Sequence, residues 1–292
     1  MSGKAPAVRP VQVRGEVLGM RRIGAYHALT LVAPGVAENA RPGQFVALRV
    51  GGEDTALSLR RSFSIYKTSS RGVYGGTVEI IVAAKGKGTA WLAGRVRHDI
   101  VDVVGPLGRP FPLPKHPVSA TLVGGGYGSA ALFGLAEALQ SRGCRVDFVL
   151  GAATEEKLFG VLDAKRIASS VAVTTEDGSV GERGWVSDVL PAVLTRADTD
   201  VVYACGPMAM LRAVHEIATE HGAVSQCAVE ESMACGIGVC MTCVLPVVGD
   251  DGLTRMVRSC AEGPVFAGDR IRWSHLGAVP PDCVGAPVEG GH

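Results

Sequence analysis

Between positions 11 and 108 apolar and polar residues alternate in six short runs: VQVRGEVLGM (11–20), HALTLVAP (27–34), QFVALRV (44–50), RSFSIYK (61–67), TVEIIVAA (77–84) and DIVDVVGPLG (99–108). A period of two marks strands buried on one face, and six of them punctuated by Gly, Pro and charged turns predict a small antiparallel β-barrel. After KHPVSA (115–120) the rhythm changes. TLVGGG (121–126), RVDFVLGA (145–152), VAVTTEDG (171–178) and TDVVYACG (199–206) read as strands. SAALFGLAEALQSRG (129–143), WVSDVLPAVL (185–194) and PMAMLRAVHEIATEHG (207–222) read as helices between and after them, which predicts a doubly wound α/β unit. Past Gln226, the runs VLPVV (244–248), TRMVRSC (254–260) and DRIRW (269–273) read as short strands around a cysteine-bearing loop. The expected units are therefore residues 9–116, 117–225 and 226–292, with residues 1–8 and the Gly/Pro-rich stretch after Gly277 as loosely held tails.

Composition narrows the class without choosing a function. With 292 residues, 47% of them hydrophobic and 20% charged, the chain is an ordinary globular protein with ample core. A formal net charge of +1 provides no field that would gather nucleic acid or an anionic membrane surface. The uncharged segment VSATLVGGGYGSAALFGLA (118–136) has the length of a membrane span, but five glycines crowd it, and a strand followed by a helix fits better. Eight cysteines with no signal peptide point to a reducing compartment, read as cytoplasm.

Four of those cysteines carry the sharpest signal. Cys235, Cys240, Cys243 and Cys260 follow the spacing C-x4-C-x2-C-x16-C. Three thiolates from one tight loop, closed by a fourth from a later segment, suit a [2Fe-2S] cluster. Gly236 and Gly238 allow left-handed backbone there, so that loop amides can turn toward the sulfurs. The rivals are zinc, which usually takes paired C-x2-C knuckles of which only one is present, and disulfides. Cys144, Cys227 and Cys283 lack a ligand pattern and read as inert, and the histidines show no metal-binding spacing.

Weaker motifs lie upstream. Arg61-Ser62-Phe63-Ser64 on a strand, with Gly86-Lys87-Gly88-Thr89 before a short helix, forms a plausible flavin-diphosphate site, because arginine supplies forked donors and a helix start supplies free amides. Taken singly, Arg61 reads more readily as a surface ion-pair partner and the glycines as punctuation; order and spacing along the chain are what favour the flavin site. Gly124, Gly125, Gly126 and Gly128 lie between a strand and a helix, where a dinucleotide pyrophosphate meets helix amides or where strand and helix simply pack closely. Cys205-Gly206-Pro207 occupies a second strand-to-helix turn. Glu176 and Asp177 open a turn-rich loop at another strand end, suited to nucleotide contact or to plain solvation.

Taken in order, RRSFSI, KGKGTAWL, VGPLGRPF, TTEDGSVGERGWVSDVL, ACGPMAML and ESMACGIGVCMTC resemble the electron-transfer subunit of NAD-linked, class 1B dihydroorotate dehydrogenase, within the ferredoxin-reductase-like flavoproteins. The likeness covers roughly residues 11–273. It implies an antiparallel flavin-binding β-barrel, a ferredoxin-reductase-type nucleotide-binding α/β domain and a small C-terminal [2Fe-2S] domain. It further implies FAD in the barrel, with Ile81, Val82 and Ala83 joining its site, NAD in the α/β domain, and Cys205-Gly206-Pro207 beside the nicotinamide. The implied partner is an FMN-containing catalytic subunit, two copies of each forming a heterotetramer. Ser62 and Ala153 stand where the family more often has proline and arginine, and the second departure bears on the choice between NAD and NADP. The same module with another partner, or a redox-sensing module with no enzymatic role, are the competing functions.

Overall fold

The computed structural model describes residues 9–52, 55–70 and 73–286. Six strands close the barrel: β1 (Val11–Ile23), β2 (Tyr26–Val32), β3 (Phe45–Leu48), β4 (Arg61–Ser69), β5 (Thr77–Val82) and β6 (Ile100–Leu107), in the order β1-β2-β5-β4-β3-β6. Alternation sends Val17, Leu29, Leu31, Val46, Leu48, Ile80 and Val103 to the interior, where each is fully buried. A short helix, α1 (Lys87–Ala93), fits between β5 and β6.

The second unit is built on β7 (Ser119–Gly125), α2 (Ala130–Gln140), β8 (Arg145–Ala152), α3 (Val161–Ile167), β9 (Ser170–Thr175), β10 (Glu182–Arg183), α4 (Val186–Ala197), β11 (Val201–Cys205), α5 (Met208–Glu220) and β12 (Val224–Ala228). Among the described residues its sheet runs β10-β9-β8-β7-β11-β12 in parallel, closed at the far edge by the antiparallel strand β15 (Val265–Ala267). β12 thus straddles the expected 225/226 division, and a strand from the cysteine-bearing segment completes the nucleotide-type sheet. Neither β15 nor α3 stands out in sequence, because three and seven residues are too few to display a period.

Residues 229–264 form an excursion that leaves the sheet after β12 and returns at β15. It holds the cysteine loop, the hairpin β13 (Val244–Val248) and β14 (Thr254–Arg258), and the single turn α6 (Ser259–Glu262). The run 269–273 is not a strand. Its two ends belong to 3-10 turns at Gly268–Arg270 and Trp273–His275, and between them Ile271 bridges to Val247. The expected loose tail after Gly277 is tied down as far as residue 286. Val284 donates its amide to the Thr254 carbonyl at 2.9 Å, Asp282 pairs with Arg272 at 3.1 Å, and Cys283 is buried. The expected tail at residues 1–8 lies outside the described residues.

Barrel and α/β unit share one aromatic core. Tyr66 of β4 meets Phe133 of α2 and Phe159 edge-on at 5.6 and 5.1 Å, and its hydroxyl donates to Asp163 Oδ2 at 2.6 Å. Burial, reinforced by that carboxylate, raises the phenol far above its ordinary range. Tyr26 donates to the Lys157 carbonyl at 2.8 Å. A hydrogen bond to a charged acceptor contributes about 1.5–3 kcal/mol, so this junction is a fixed one.

Candidate functional site

Two cavities open along the seam between the units. The smaller, about 390 Å³, is floored by β4 and β5 and lined by Arg61, Ser62, Phe63, Ser64, Ile81, Ala83 and Thr89, with Gly128 and Cys205 from the facing unit. Ile81 and Ala83 face it while Val82, one residue out of phase, sits in the barrel core. Gly86 and Gly88 are not on its wall. They shape the α1 start instead: Thr89 Oγ1 accepts from the Lys85 and Gly86 amides at 3.0 Å each, and a Cβ on Gly88 would lie 3.2 Å from Arg61 Nε. The Arg61 guanidinium is thereby held against the α1 N-terminus, tethered by Nη1 to the Leu59 carbonyl at 2.9 Å. Fixed positive charge beside helix amides suits a diphosphate.

The larger cavity, about 700 Å³, lies at the carboxyl ends of β7, β8, β9 and β11. This is the crevice where open α/β sheets bind ligands. Gly125, Gly126, Glu176 and Pro207 line it, together with Trp185, Met210 and Lys157. Both volumes lie in the range of cofactor pockets. The glycine run divides by role: Gly124 is a close-packing position, since a Cβ there would overlap Ser129 and lie 2.9 Å from its Cα, whereas a Cβ on Gly125 would point toward Met210 Sδ and Pro207 Cδ at 2.8 and 3.0 Å. Gly206 packs against Gly125, 3.1 Å from a Cβ placed on it. Asp177 does not reach the cavity; its carboxylate accepts from the Ser179 amide and hydroxyl at 3.0 and 2.7 Å, which holds its pKa down.

Three side chains join the cavities: Lys85, Tyr127 and Glu230 line both, and of these Glu230 lies in no sequence motif. Lys85 Nζ stands 4.7 Å over the Tyr127 ring, and Tyr26 meets that ring edge-on at 5.7 Å. Glu230 follows β12. It opens onto the clefts, yet the protein around it pushes its carboxyl above the usual range, with Lys85 opposing. Cys205 lies against the same wall, and burial, aided by Glu230, raises its thiol well above the ordinary range and keeps it neutral. Among the described residues Thr174 Oγ1 is a buried hydroxyl without a partner, and it borders the larger cavity. Only the pairing of β11 with β12 brings Glu230 to Cys205, so no local motif announces it.

The cysteine loop abuts the smaller cavity from the other side. Cys243 and Cys260, both 2% exposed, pack with Phe45, Ala47 and Leu107 of the barrel. A Cβ on Gly236 would lie 3.4 Å from Ser62 Oγ, and Phe45 and Met233 also line the cavity. Gly236 and Gly238 take φ of +71° and +81°, which turns successive amides inward. Val239 and Ile237 donate to Cys235 Sγ at 3.3 and 3.5 Å, Gly238 to Cys260 Sγ at 3.1 Å, and Cys260 N to Cys243 Sγ at 3.4 Å. Burial opposes ionisation of Cys235, but these amides outweigh it and draw the thiol down to about 6. Burial and the neighbouring Cys243 push Cys260 up to about 12, so the Cys260 thiol ionises only against positive charge, as metal-binding thiols do.

The four thiols are neighbours: Cys240 acts on Cys235, and Cys243 and Cys235 both act on Cys260. Four cysteines gathered by one loop and one following turn suit a two-iron cluster, in which each iron takes two thiolates.

Residues 230–272 match the family model for the iron-sulfur cluster binding domain of dihydroorotate dehydrogenase B. The chain is 39% identical over 247 residues to the dihydroorotate dehydrogenase B (NAD(+)) electron transfer subunit of Bacillus caldolyticus, covering 84% of this chain and 92% of that one. The chain belongs to this family of electron transfer subunits. The corresponding subunit of Desulforamulus reducens is 32% identical over 241 residues, 82% of this chain and 90% of its own. Among solved structures, that of an NADH-dependent reduced ferredoxin-NADP oxidoreductase, determined for flavin-based electron bifurcation, superposes with a TM-score of 0.77 at 30% identity, covering 94% of this chain and 93% of that one. The ferredoxin reductase of carbazole 1,9a-dioxygenase shares the fold, with a TM-score of 0.61 at 22% identity over 75% of this chain and 68% of its own. No helix among the described residues is long and apolar enough to cross a membrane.

Proposed function

We propose that the chain transfers electrons from an FMN-containing dihydroorotate dehydrogenase catalytic subunit to NAD, in the cytoplasm, as two copies bound to two catalytic subunits. The observation that carries this reading is contiguity. Lys85, Tyr127 and Glu230 belong to both cavities, and Phe45 and Ser62 belong to the smaller cavity and to the surroundings of the cysteine loop. When bound, FAD exchanges a hydride with nicotinamide and single electrons with a [2Fe-2S] cluster, so it joins a two-electron acceptor to a one-electron carrier.

In this reading residues 9–116 hold FAD, with Arg61 on its diphosphate and Ser62, Phe63, Ser64, Ile81 and Ala83 around its ring. Residues 117–225, extended through β12 and β15, hold NAD on the backbone of Gly125 and Gly126 and on Pro207, with Glu176 at the adenosine end. Cys205 contributes an uncharged thiol to the wall between them. Cys235, Cys240, Cys243 and Cys260 are the cluster ligands within residues 226–292. Ile237, Val239 and Met241 are 56%, 74% and 52% exposed on the cluster loop, an apolar face for the catalytic subunit.

The isolated chain should reduce dyes with NADH and remain inert to dihydroorotate, and adding the catalytic subunit should give dihydroorotate-driven NAD reduction. Dihydroorotate oxidation by the chain alone would refute the division of labour. The likeness to the ferredoxin-NADP oxidoreductase over almost the whole chain supports a second reading, the same module with another partner. Copurification of a partner inactive on dihydroorotate would favour it.

A further inference from the structure

The cysteine loop is tethered from outside by a side chain that no cofactor site uses. Arg258 closes β14, and Glu262 grips it from one turn further on. Nη2 donates to Oε1 at 2.5 Å, Nε to Oε2 at 3.3 Å, and the Arg258 backbone amide to Oε2 at 3.0 Å. Held this way, Nη1 donates to the Gly238 carbonyl at 2.7 Å. That carbonyl shares a peptide plane with the Val239 amide, which donates to Cys235 Sγ at 3.3 Å. The preceding plane carries the Gly238 amide, which donates to Cys260 Sγ at 3.1 Å.

We propose that Arg258 is a positioning residue for the cysteine site, acting through the Gly238–Val239 peptide to strengthen the amide bond to Cys235 and so to raise the reduction potential of the cluster. A cation on a peptide oxygen draws electron density from its nitrogen and makes the N–H a better donor. Chains of hydrogen bonds polarise one another by about 10–30% per bond, and hydrogen bonds to cluster sulfurs set the potential. Glu262 neutralises the guanidinium at long range, so the effect is local. Arg255, on the same strand, carries equal charge but pairs with Asp251 at 2.7 Å and makes no bond to the loop.

The inference rests on the iron-sulfur reading, and iron and sulfide content of the parent protein tests that reading separately. EPR-monitored redox titration of the iron-loaded chain tests the inference. Arg258→Met should lower the midpoint potential by about tenfold in the equilibrium constant, ~59 mV for one electron. It should also weaken the exchangeable-proton coupling of the reduced centre. Arg255→Met should leave both unchanged. If Arg258→Met fails to retain iron, Arg258→Gln, which keeps a donor without the cation, should lower the potential in the same direction. A fully loaded Arg258→Met or Arg258→Gln protein at the parent potential, or an equal fall in Arg255→Met, would overturn the proposal.

Discussion

Two adjacent glycines should fail in different ways when each gains one methyl group. In Gly124→Ala the new Cβ overlaps Ser129 and comes within 2.9 Å of its Cα and 3.1 Å of Leu150 Cδ2. Backbone at the start of α2 must move, and overpacking of this kind costs about 1–3 kcal/mol. At about 2–4 °C per kcal/mol for a unit of 150–250 residues, the melting temperature should fall by several degrees. In Gly125→Ala the nearest atoms are Met210 Sδ at 2.8 Å and Pro207 Cδ at 3.0 Å. The methionine can swing aside, so folding is spared, but the methyl then occupies the larger cavity where a dinucleotide's backbone contacts belong. One misplaced methyl in a fitted pocket is worth about 1–3 kcal/mol, or roughly 10–200-fold. The assays are thermal melting by circular dichroism and the KM for NADH in dye reduction. Gly124→Ala should melt earlier with KM nearly unchanged in the folded fraction, and Gly125→Ala should raise KM with melting nearly unchanged. An unaltered KM in Gly125→Ala, or equal melting losses in both, would refute the division of roles along the glycine run.

Serine at Cys235, Cys240, Cys243 or Cys260 should strip or sharply lower iron and sulfide, while serine at Cys144 or Cys283 should not; full iron in Cys260→Ser would show that the fourth ligand is misassigned. Arg61→Ala should reduce the flavin-to-protein ratio, and an unchanged ratio would return Arg61 to a structural role at the α1 start. Gly134→Ala should stabilise the fold by about 0.4–1 kcal/mol, because its Cβ would find only Pro42 Cγ at 3.9 Å and the Tyr66 carbonyl at 4.0 Å, and helical glycine gains from alanine. His215 stacks on Trp273 at 5.9 Å and shares a 2.8 Å hydrogen bond with Ser225; burial lowers its pKa from 6.5, against the pull of Asp269 and Glu216. A depressed folded pKa gives stability that is present above pH 6.5 and lost as the pH falls through the folded value, so the melting advantage of the parent over His215→Phe should shrink from pH 7.5 to pH 5. A pH-independent difference would count against it.

Periodicity exposed the barrel strands because each alternates over enough residues to declare its buried face, and the α/β helices because an apolar stripe recurs along them. The cluster cysteines were legible because their ligands are close in sequence. What stayed hidden depends on partners remote in sequence. Asp177 and Glu176 are neighbours with similar chemistry, yet the Ser179 turn takes one while the cavity takes the other. Val82 sits between two cavity residues and faces away, which alternation accounts for only once the strand's phase is known. Glu230 belongs to none of the motifs along the chain, and it acquires a place only when β11 and β12 pair and set it beside Cys205 and Lys85.

The excursion from β12 to β15 explains how a loop with little regular structure can hold a cluster at a set distance from a cofactor on another unit. Its two ends are antiparallel neighbours in the nucleotide-type sheet, with Ala228 opposite Val265 and Gln226 opposite Ala267, so both anchors belong to one rigid layer. At its root the Val229 amide donates to the Pro264 carbonyl at 2.9 Å, and the Arg109 amide of the barrel side donates to the Gly263 carbonyl at 2.5 Å. The cysteines then pack on Phe45, Ala47 and Leu107 of the barrel. Thus the sheet bearing the larger cavity and the barrel bearing the smaller one fix the loop from two directions, and neither can shift without disturbing the other. Electron transfer needs only a short, constant separation between sites and no moving group. A cluster segment threaded back into the sheet it left supplies that constancy, while the outward residues Ile237, Val239 and Met241 remain free for a partner.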